Sequence, residues 1–307
     1  MDVKRSPFFA EANLMVQTLP CVLEEKCFAL KGGSAINLFF RNMPRLSVDI
    51  DLIYLPIEAR EVSLSNIAMA LDRIAQSLKK RLMNTKVQKV QLKAPNVVSK
   101  LLVRQGDVQI KIEPNLVTRG TIFPCEEHTL CAKAQDVFEM FVSARTASLA
   151  DVFGGKICAA LDRQHPRDLF DVKFLLDNEG LTDQIRKAFI VYLISHDRAI
   201  GEVLNPVFKH FKQIYDGEFQ GMTLEPVGYQ ELVDTRARLV DIIKSNITQD
   251  EKQFLLSFKE GNPRWNLISM PEIEKLPAVR WKLMNIQKME ESKRQDYLKR
   301  LRVVLNL

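Results

Sequence analysis

The sequence predicts an α+β protein, with a mixed sheet flanked by helices over residues 1–147 and a mostly α-helical part over 148–307. Three observations carry that reading. In the first part, short runs with two-residue apolar/polar alternation are interleaved with helix-like runs. In the second, apolar residues recur at three- and four-residue spacing almost throughout. The length, 307 residues, is enough for two hydrophobic cores.

Taken in order, the stretch 28–40, FALKGGSAINLFF, reads as strand, glycine turn, helix. The stretch 45–54, RLSVDIDLIY, alternates as a strand with Val48, Ile50 and Leu52 toward a core. The stretch 108–113, VQIKIE, repeats the pattern with Val108, Ile110 and Ile112 inward, and Pro114 is expected to end it. Helical spacing then covers 149–163, 167–176, 183–194, 229–245, 249–258 and 278–305. Gly154 and Gly155 lower the intrinsic helix preference of the first of these, and Pro166 suits the first turn of the second. The stretch 216–226, with two glycines and a proline, is expected to be the long loop of this half.

Hydrophobic residues make up 46% and charged residues 27%, which excludes disordered and fibrous classes. The formal net charge of +6 is unevenly placed, because residues 72–111 hold ten Lys/Arg against two Asp. That run, with Lys79, Lys80 and Arg81 in tandem, is the expected contact for the phosphates of an anionic partner, although a solvated helix face has the same composition. A second basic run, 280–302, holds eight Lys/Arg against three acids, with Trp281 and Tyr297 inside it. Five cysteines, an odd number without paired spacing, read as reduced thiols. No signal peptide is recognisable, and no apolar run approaches the ~18 residues of a membrane span. The expected setting is cytoplasmic, with no membrane partner.

Ser47, Asp49 and Asp51 share the polar face of the 45–54 strand. Two residues of strand separate the aspartates by about 7 Å, and carboxylates so placed repel unless a cation lies between them. A hard dication meets that need: magnesium where phosphates are handled, or manganese in its place. Glu113 lies on the polar face of the 108–113 strand with Gln109 and Lys111. If the two strands are neighbours, it becomes a third carboxylate over the same patch, and Asp49, Asp51 and Glu113 are then the expected metal ligands. Three acids can hold two metals and activate an attacking hydroxyl. Two solvated aspartates on an exposed strand would show the same spacing.

Lys31, Gly32, Gly33 and Ser34 precede that strand. The glycines allow close backbone approach to a ligand, Ser34 is placed to cap the next helix, and free helix N-terminal amides bind phosphate. Further on, Lys156 sits mid-helix among Val152, Ile157, Ala159 and Ala160, and Arg167, Asp168 and Asp171 follow Pro166. Lys156 and Arg167 would neutralise phosphates while Asp171 orients one of them. A helix hairpin with surface ion pairs is the alternative.

Together these residues resemble the AbiEii/AbiGii-type toxin nucleotidyltransferases of the polymerase-β-like superfamily. The likeness rests on KGGS at 31–34, RLSVDID at 45–51, KIE at 111–113, Lys156, DRQHPRDLFDV at 162–172 and LPAVRWKLMN at 276–285. It implies a nucleotidyltransferase-fold domain over 1–147 and a helical domain over 148–307 that contributes Lys156, Arg167 and Asp171 to the site. It also implies magnesium on Asp49 and Asp51, a triphosphate site lined by Gly33, Ser34 and Ser47, and catalysis by Asp49, Asp51, Glu113, Lys156 and Asp171. The family's biology implies a toxin paired with an antitoxin protein, often in phage defence, that moves a nucleoside monophosphate from a nucleoside triphosphate to the 3′ end of tRNA and so inhibits translation. Modification of a protein hydroxyl, or a silent nucleotide-binding module, are the alternatives that the residues leave open.

Overall fold

The computed structural model describes residues 3–93 and 97–307, and the chain divides into two compact units. The first comprises Met1–Ser148 with Glu218–Pro226, and the second Leu149–Gly217 with Val227–Leu307.

The first unit is built on seven strands: β1 (Phe28–Lys31), β2 (Asp49–Tyr54), β3 (Thr85–Gln91), β4 (Val98–Gln105), β5 (Val108–Asn115), β6 (Glu126–Thr129) and β7 (Ser143–Thr146). They form one mixed sheet in the order β3-β4-β5-β2-β1-β7-β6. β2 runs parallel to β5 and β1 parallel to β7, while the other neighbours are antiparallel. Alternation decides the faces. Ile50 and Leu52 of β2, Leu101 and Val103 of β4, and Ile110 and Ile112 of β5 are all buried. Helices α1 (Phe9–Val22) and α3 (Arg60–Arg81) pack on the sheet, α3 burying Leu64, Ile67, Leu71, Ile74 and Leu78 at three- and four-residue spacing. A short helix α2 (Gly32–Ala35) continues as a π turn over Ile36–Phe40, and α4 (Ala132–Phe138) lies between β6 and β7.

Two boundaries differ from the sequence reading. β2 begins at Asp49 rather than Arg45, because residues 44–46 pair instead with the 219–226 segment: Leu46 N–H donates to Met222 O and Leu224 N–H to Pro44 O. Val48 is therefore half-buried and Ser47 buried, opposite to simple alternation. β5 passes through Pro114 to Asn115. The ladder with β4 stops at Ile112, so beyond it Pro114 has only β2 beside it and its missing N–H breaks no bond to β4.

The second unit is helical: α5 (Leu149–Asp162), α6 (Pro166–Asp177), α7 (Asp183–Ser195), α8 (Ile200–Leu204), α9 (Lys212–Glu218), α10 (Tyr229–Asn246), α11 (Gln249–Glu260), α12 (Pro277–Gln287) and α13 (Glu291–Leu305). Gly154 and Gly155 lie inside α5 because α7 crosses there. A Cβ at Gly154 would come within 2.8 Å of the backbone of Ala188 and Phe189. Pro166 occupies the first turn of α6, and His165 Nδ1 accepts from Arg167 N–H at 3.1 Å. Thr248 and Glu251 form a capping box on α11, which ends at Gly261 with φ 89°. The expected single helix over 278–305 is two helices, parted at Lys288, Met289 and Glu290. No Gly or Pro marks that break; α12 and α13 both pack on α11, and the turn lets the chain do so. The expected 216–226 loop is shorter at its start, since α9 runs to Glu218.

Candidate active site

The sheet register sets a row of alternating charge on the polar face. Lys31 of β1 is opposite Asp51 of β2, and Asp51 is opposite Glu113 of β5. Lys100 of β4 closes the row, its ammonium 3.7 Å from the Glu113 carboxylate. One step along, Asp49 is opposite Lys111, whose backbone N–H donates to Asp49 Oδ1 at 3.2 Å. Asp49 and Asp51 are half-buried, so their carboxylates are held yet reachable, while Glu113 and Lys111 are exposed. Glu113 is thus beside Asp51 in register, but its carboxylate is turned to Lys100.

The glycines bring backbone onto this row. Gly32 has φ +65°, and a Cβ there would overlap the Asp51 carboxylate; no other residue type gives both the turn and the clearance. A Cβ on Gly33 would lie 2.7 Å from Arg45 Nη2 and 3.4 Å from Ser47 Oγ. Ser34 is fully buried and does not cap the helix. It sits inside α2 and donates from Oγ to Lys31 O at 3.3 Å, since the N-cap position falls on Lys31. Sequence reasoning quoted Arg45 without giving it a role. It is 3% exposed, its Nη1 donates to Leu46 O at 2.8 Å, and its guanidinium faces Gly33.

Within the second unit, α5 and α6 hold a separate buried charge cluster. Lys156 Nζ is 2.9 Å from Asp168 Oδ1 and 3.0 Å from Asp171 Oδ2, and Arg163 Nε is 2.5 Å from Asp168 Oδ2. Burial would raise the Asp168 pKa, but Lys156 and Arg163 outweigh it and hold the carboxyl well below the usual carboxylate range. Asp168 is thus as central to the cluster as Asp171, a point the sequence spacing did not single out. Arg167 is half-buried in the first turn of α6.

Residues 13–285, a span that contains all of these features, match a family model described as nucleotidyl transferase AbiEii toxin, type IV toxin–antitoxin system. The chain belongs to the AbiEii nucleotidyltransferase toxin family. Among solved structures, this AbiEii-family chain is similar to MenT4, a nucleotidyltransferase toxin from Mycobacterium tuberculosis H37Rv. That likeness has a TM-score of 0.60 at 12% identity, over 98% of this chain and 97% of that one, and it bears on the fold. A match to terminal uridylyl transferase 4 from Trypanosoma brucei with bound dUTP, 11% identical over 95% of this chain and 91% of that one, reaches a TM-score of only 0.31 and adds nothing to the fold assignment. No curated protein matches the chain.

The family is one of nucleotidyl transfer, so this AbiEii-type chain is a nucleotidyltransferase toxin of a type IV system. Its donor set can be tested against magnesium. Among the described residues no group of three or more His, Cys, Asp or Glu is gathered to hold a metal. Magnesium does not need one, because it is bound through one or two carboxylates with substrate phosphates and water completing the shell. Asp49 and Asp51, oxygen donors on one face and half-buried, fit that requirement, and Glu113 lies opposite Asp51 in register, exposed, with its carboxylate 3.7 Å from Lys100 Nζ.

The basic run is less positive than its composition suggests. Arg81 pairs with Glu24, Arg73 Nε lies 2.7 Å from Glu25, and Lys89 lies 2.8 Å from Asp72. Lys79 and Lys80, in the last turn of α3, are exposed. No helix among the described residues is long and apolar enough to cross a membrane.

Proposed function

We propose that this toxin transfers a nucleoside monophosphate from a nucleoside triphosphate to RNA, at the 3′ end of tRNA, and inhibits translation in the cytoplasm until a cognate antitoxin protein neutralises it. The observation that carries the reading is the placement of Asp49 and Asp51 on one strand face, with the Asp51 carboxylate against the backbone of Gly32. An aspartate pair beside side-chain-free backbone suits a triphosphate and its cation together. Asp49 and Asp51 would hold magnesium, or manganese, which when bound supplies positive charge to the phosphates. The half-buried Lys31 and Gly32 would receive the triphosphate tail, with the buried Gly33, Ser34 and Ser47 supporting the turn beneath it. The ribose hydroxyl oxygen forms a bond to the α-phosphorus while the bond from that phosphorus to the bridging oxygen breaks. Pyrophosphate leaves with the bond electrons, and the hydroxyl proton passes to a carboxylate of the row, for which Glu113 is the exposed candidate. Lys156, Arg167 and Asp171 are assigned to the same reaction on the family's motif order. Lys79, Lys80 and Arg81 are assigned to RNA phosphates on charge.

Incubating the purified protein with total RNA and each labelled triphosphate in magnesium tests the proposal. Label in RNA, concentrated in the tRNA fraction, is the expected result. Label in protein would replace the RNA acceptor with a protein hydroxyl, and triphosphate binding without transfer to either would overturn the catalytic reading.

A further inference from the structure

Lys259, in the last turn of α11, is 6% exposed, and no Asp or Glu forms an ion pair with it among the described residues. Its Nζ rests 4.2 Å from the ring centroid of Tyr297 and 4.0 Å from Met289 Sδ, both weak partners for a full charge. Its neighbours are of the same sign. Burial first, then Lys293 and Arg294, pushes the Lys259 ammonium below its ordinary pKa, and Lys282 is near enough for Lys259 to push on it in turn. On the helices around it, Glu202 pairs with Arg198, Glu291 with Arg294, Asp296 with Arg300 and Glu260 with Arg302. A buried ammonium among cations is costly unless an anion meets it.

The lysine lines a cavity of about 180 Å³ within the second unit, walled by Ile200, Gly201, Tyr297, Leu301 and Val304. That exceeds the ~150 Å³ of an apolar cavity that takes up benzene. Arg300, Asn205 and Glu202 also line the Lys259 cavity, Glu202 being held 3.4 Å from Arg198 Nε, and apart from the Tyr297 ring the remaining walls are aliphatic. We propose that this cavity is a binding site for a small amphipathic anion, with a carboxylate or phosphate head on Lys259 and an apolar body of about six carbons between Ile200, Leu301 and Val304. The anion supplies the counter-charge that the chain does not, and the aliphatic walls reject a bare phosphate or a nucleoside triphosphate. No residue of the carboxylate row or of the Lys156 cluster takes part, so the site is independent of the proposed transfer reaction.

The test uses the full chain and four probes, hexanoate, hexyl phosphate, hexanol and inorganic phosphate, followed by calorimetric titration and thermal melting. Hexanoate or hexyl phosphate should bind saturably and raise the melting temperature, and which of them binds tighter identifies the head group. Hexanol, lacking the charge, and inorganic phosphate, lacking the body, should each bind at least about tenfold more weakly. Lys259→Met should erase the preference for the charged probe. In Gly201→Val the added branch projects toward Leu301 and Val304, where a Cβ would already lie 3.8 Å away, so both anions should be lost. If Lys259→Met does not fold, the probe series and Gly201→Val decide the matter alone. Equal binding of hexanol and hexanoate, equal binding of inorganic phosphate, unaltered binding in either variant, or no saturable binding of either anion would each overturn the proposal.

Discussion

Lys156→Met keeps the length and the apolar stem of the side chain and removes its charge. In the folded protein that charge sits 2.9 Å from Asp168 and 3.0 Å from Asp171, with side chains 6%, 2% and 0% exposed. Removing one partner of a buried pair costs about 3–5 kcal/mol, most of it the penalty of the stranded charge. Here Lys156 serves two buried carboxylates, and the other cation on Asp168, Arg163, is 62% exposed and largely screened. The loss should therefore be at the upper end, about 5 kcal/mol for Lys156→Met, against about 3 for Asp168→Asn, which leaves Asp171 on the lysine. Urea unfolding at neutral pH, followed by circular dichroism, measures both. The double variant should cost less than the sum of the two by more than about 1 kcal/mol. A Lys156→Met penalty under about 1 kcal/mol, or a larger penalty for Asp168→Asn, would refute the reasoning. The pH dependence follows from the same cluster. The Asp168 pKa is depressed in the folded state, so its contribution is present above the unfolded value of about 3.9 and is lost as pH falls toward the folded value. The gap between wild type and Asp168→Asn should thus be widest above about pH 5 and narrow in acid.

Other outcomes are expected at the sheet, the helix crossing and the basic run. Asp49→Asn or Asp51→Asn should lower transfer at least ~10²-fold, about 2.7 kcal/mol of transition-state stabilisation, with an unchanged melting curve; near wild-type turnover in either would remove that residue from the site. Gly32→Ala should cost about 1 kcal/mol from its positive φ and also displace the Asp51 carboxylate, so transfer should fall more than stability does. Gly154→Ala should destabilise by about 1–3 kcal/mol, because the added methyl meets α7 backbone and not a movable side chain; an unaltered melting temperature would contradict the close crossing. Lys79→Glu with Lys80→Glu should weaken RNA binding and flatten its salt dependence while leaving triphosphate affinity alone, and an unchanged salt slope would place the RNA elsewhere.

Local spacing was enough to find β1, β2, β5 and the longer helices of the second unit, with the chemistry they carry, but not β3, β4, β6, β7, α1 or α3. Two-residue alternation put Asp49 and Asp51 on one face and Ile50 and Leu52 on the other, and helical spacing placed α5, α6, α7, α10 and α11 within a few residues of their ends. Both follow from the pleat and the helix turn, which depend only on neighbours in the chain. Decisions between distant residues were not legible in this way. Glu113 lies next to Asp51, as expected if the strands were neighbours, but its commitment to Lys100 depends on which strand flanks β5 on its other side. The basic run looked like a uniform patch because Glu24 and Glu25, which pair with Arg81 and Arg73, lie 57 and 48 residues away in the chain. The break between α12 and α13 carries no sequence mark, since packing on α11 sets it. Gly154 read as a weakness in a helix and is where α7 comes closest. Charge and propensity are written residue by residue, whereas burial and pairing belong to whichever surfaces the fold brings together. The sequence by itself therefore determined the acid-bearing strands, the longer helices of the second unit and the acid–glycine–lysine set. The tertiary structure decided which of those charges are spent on each other and which stay available.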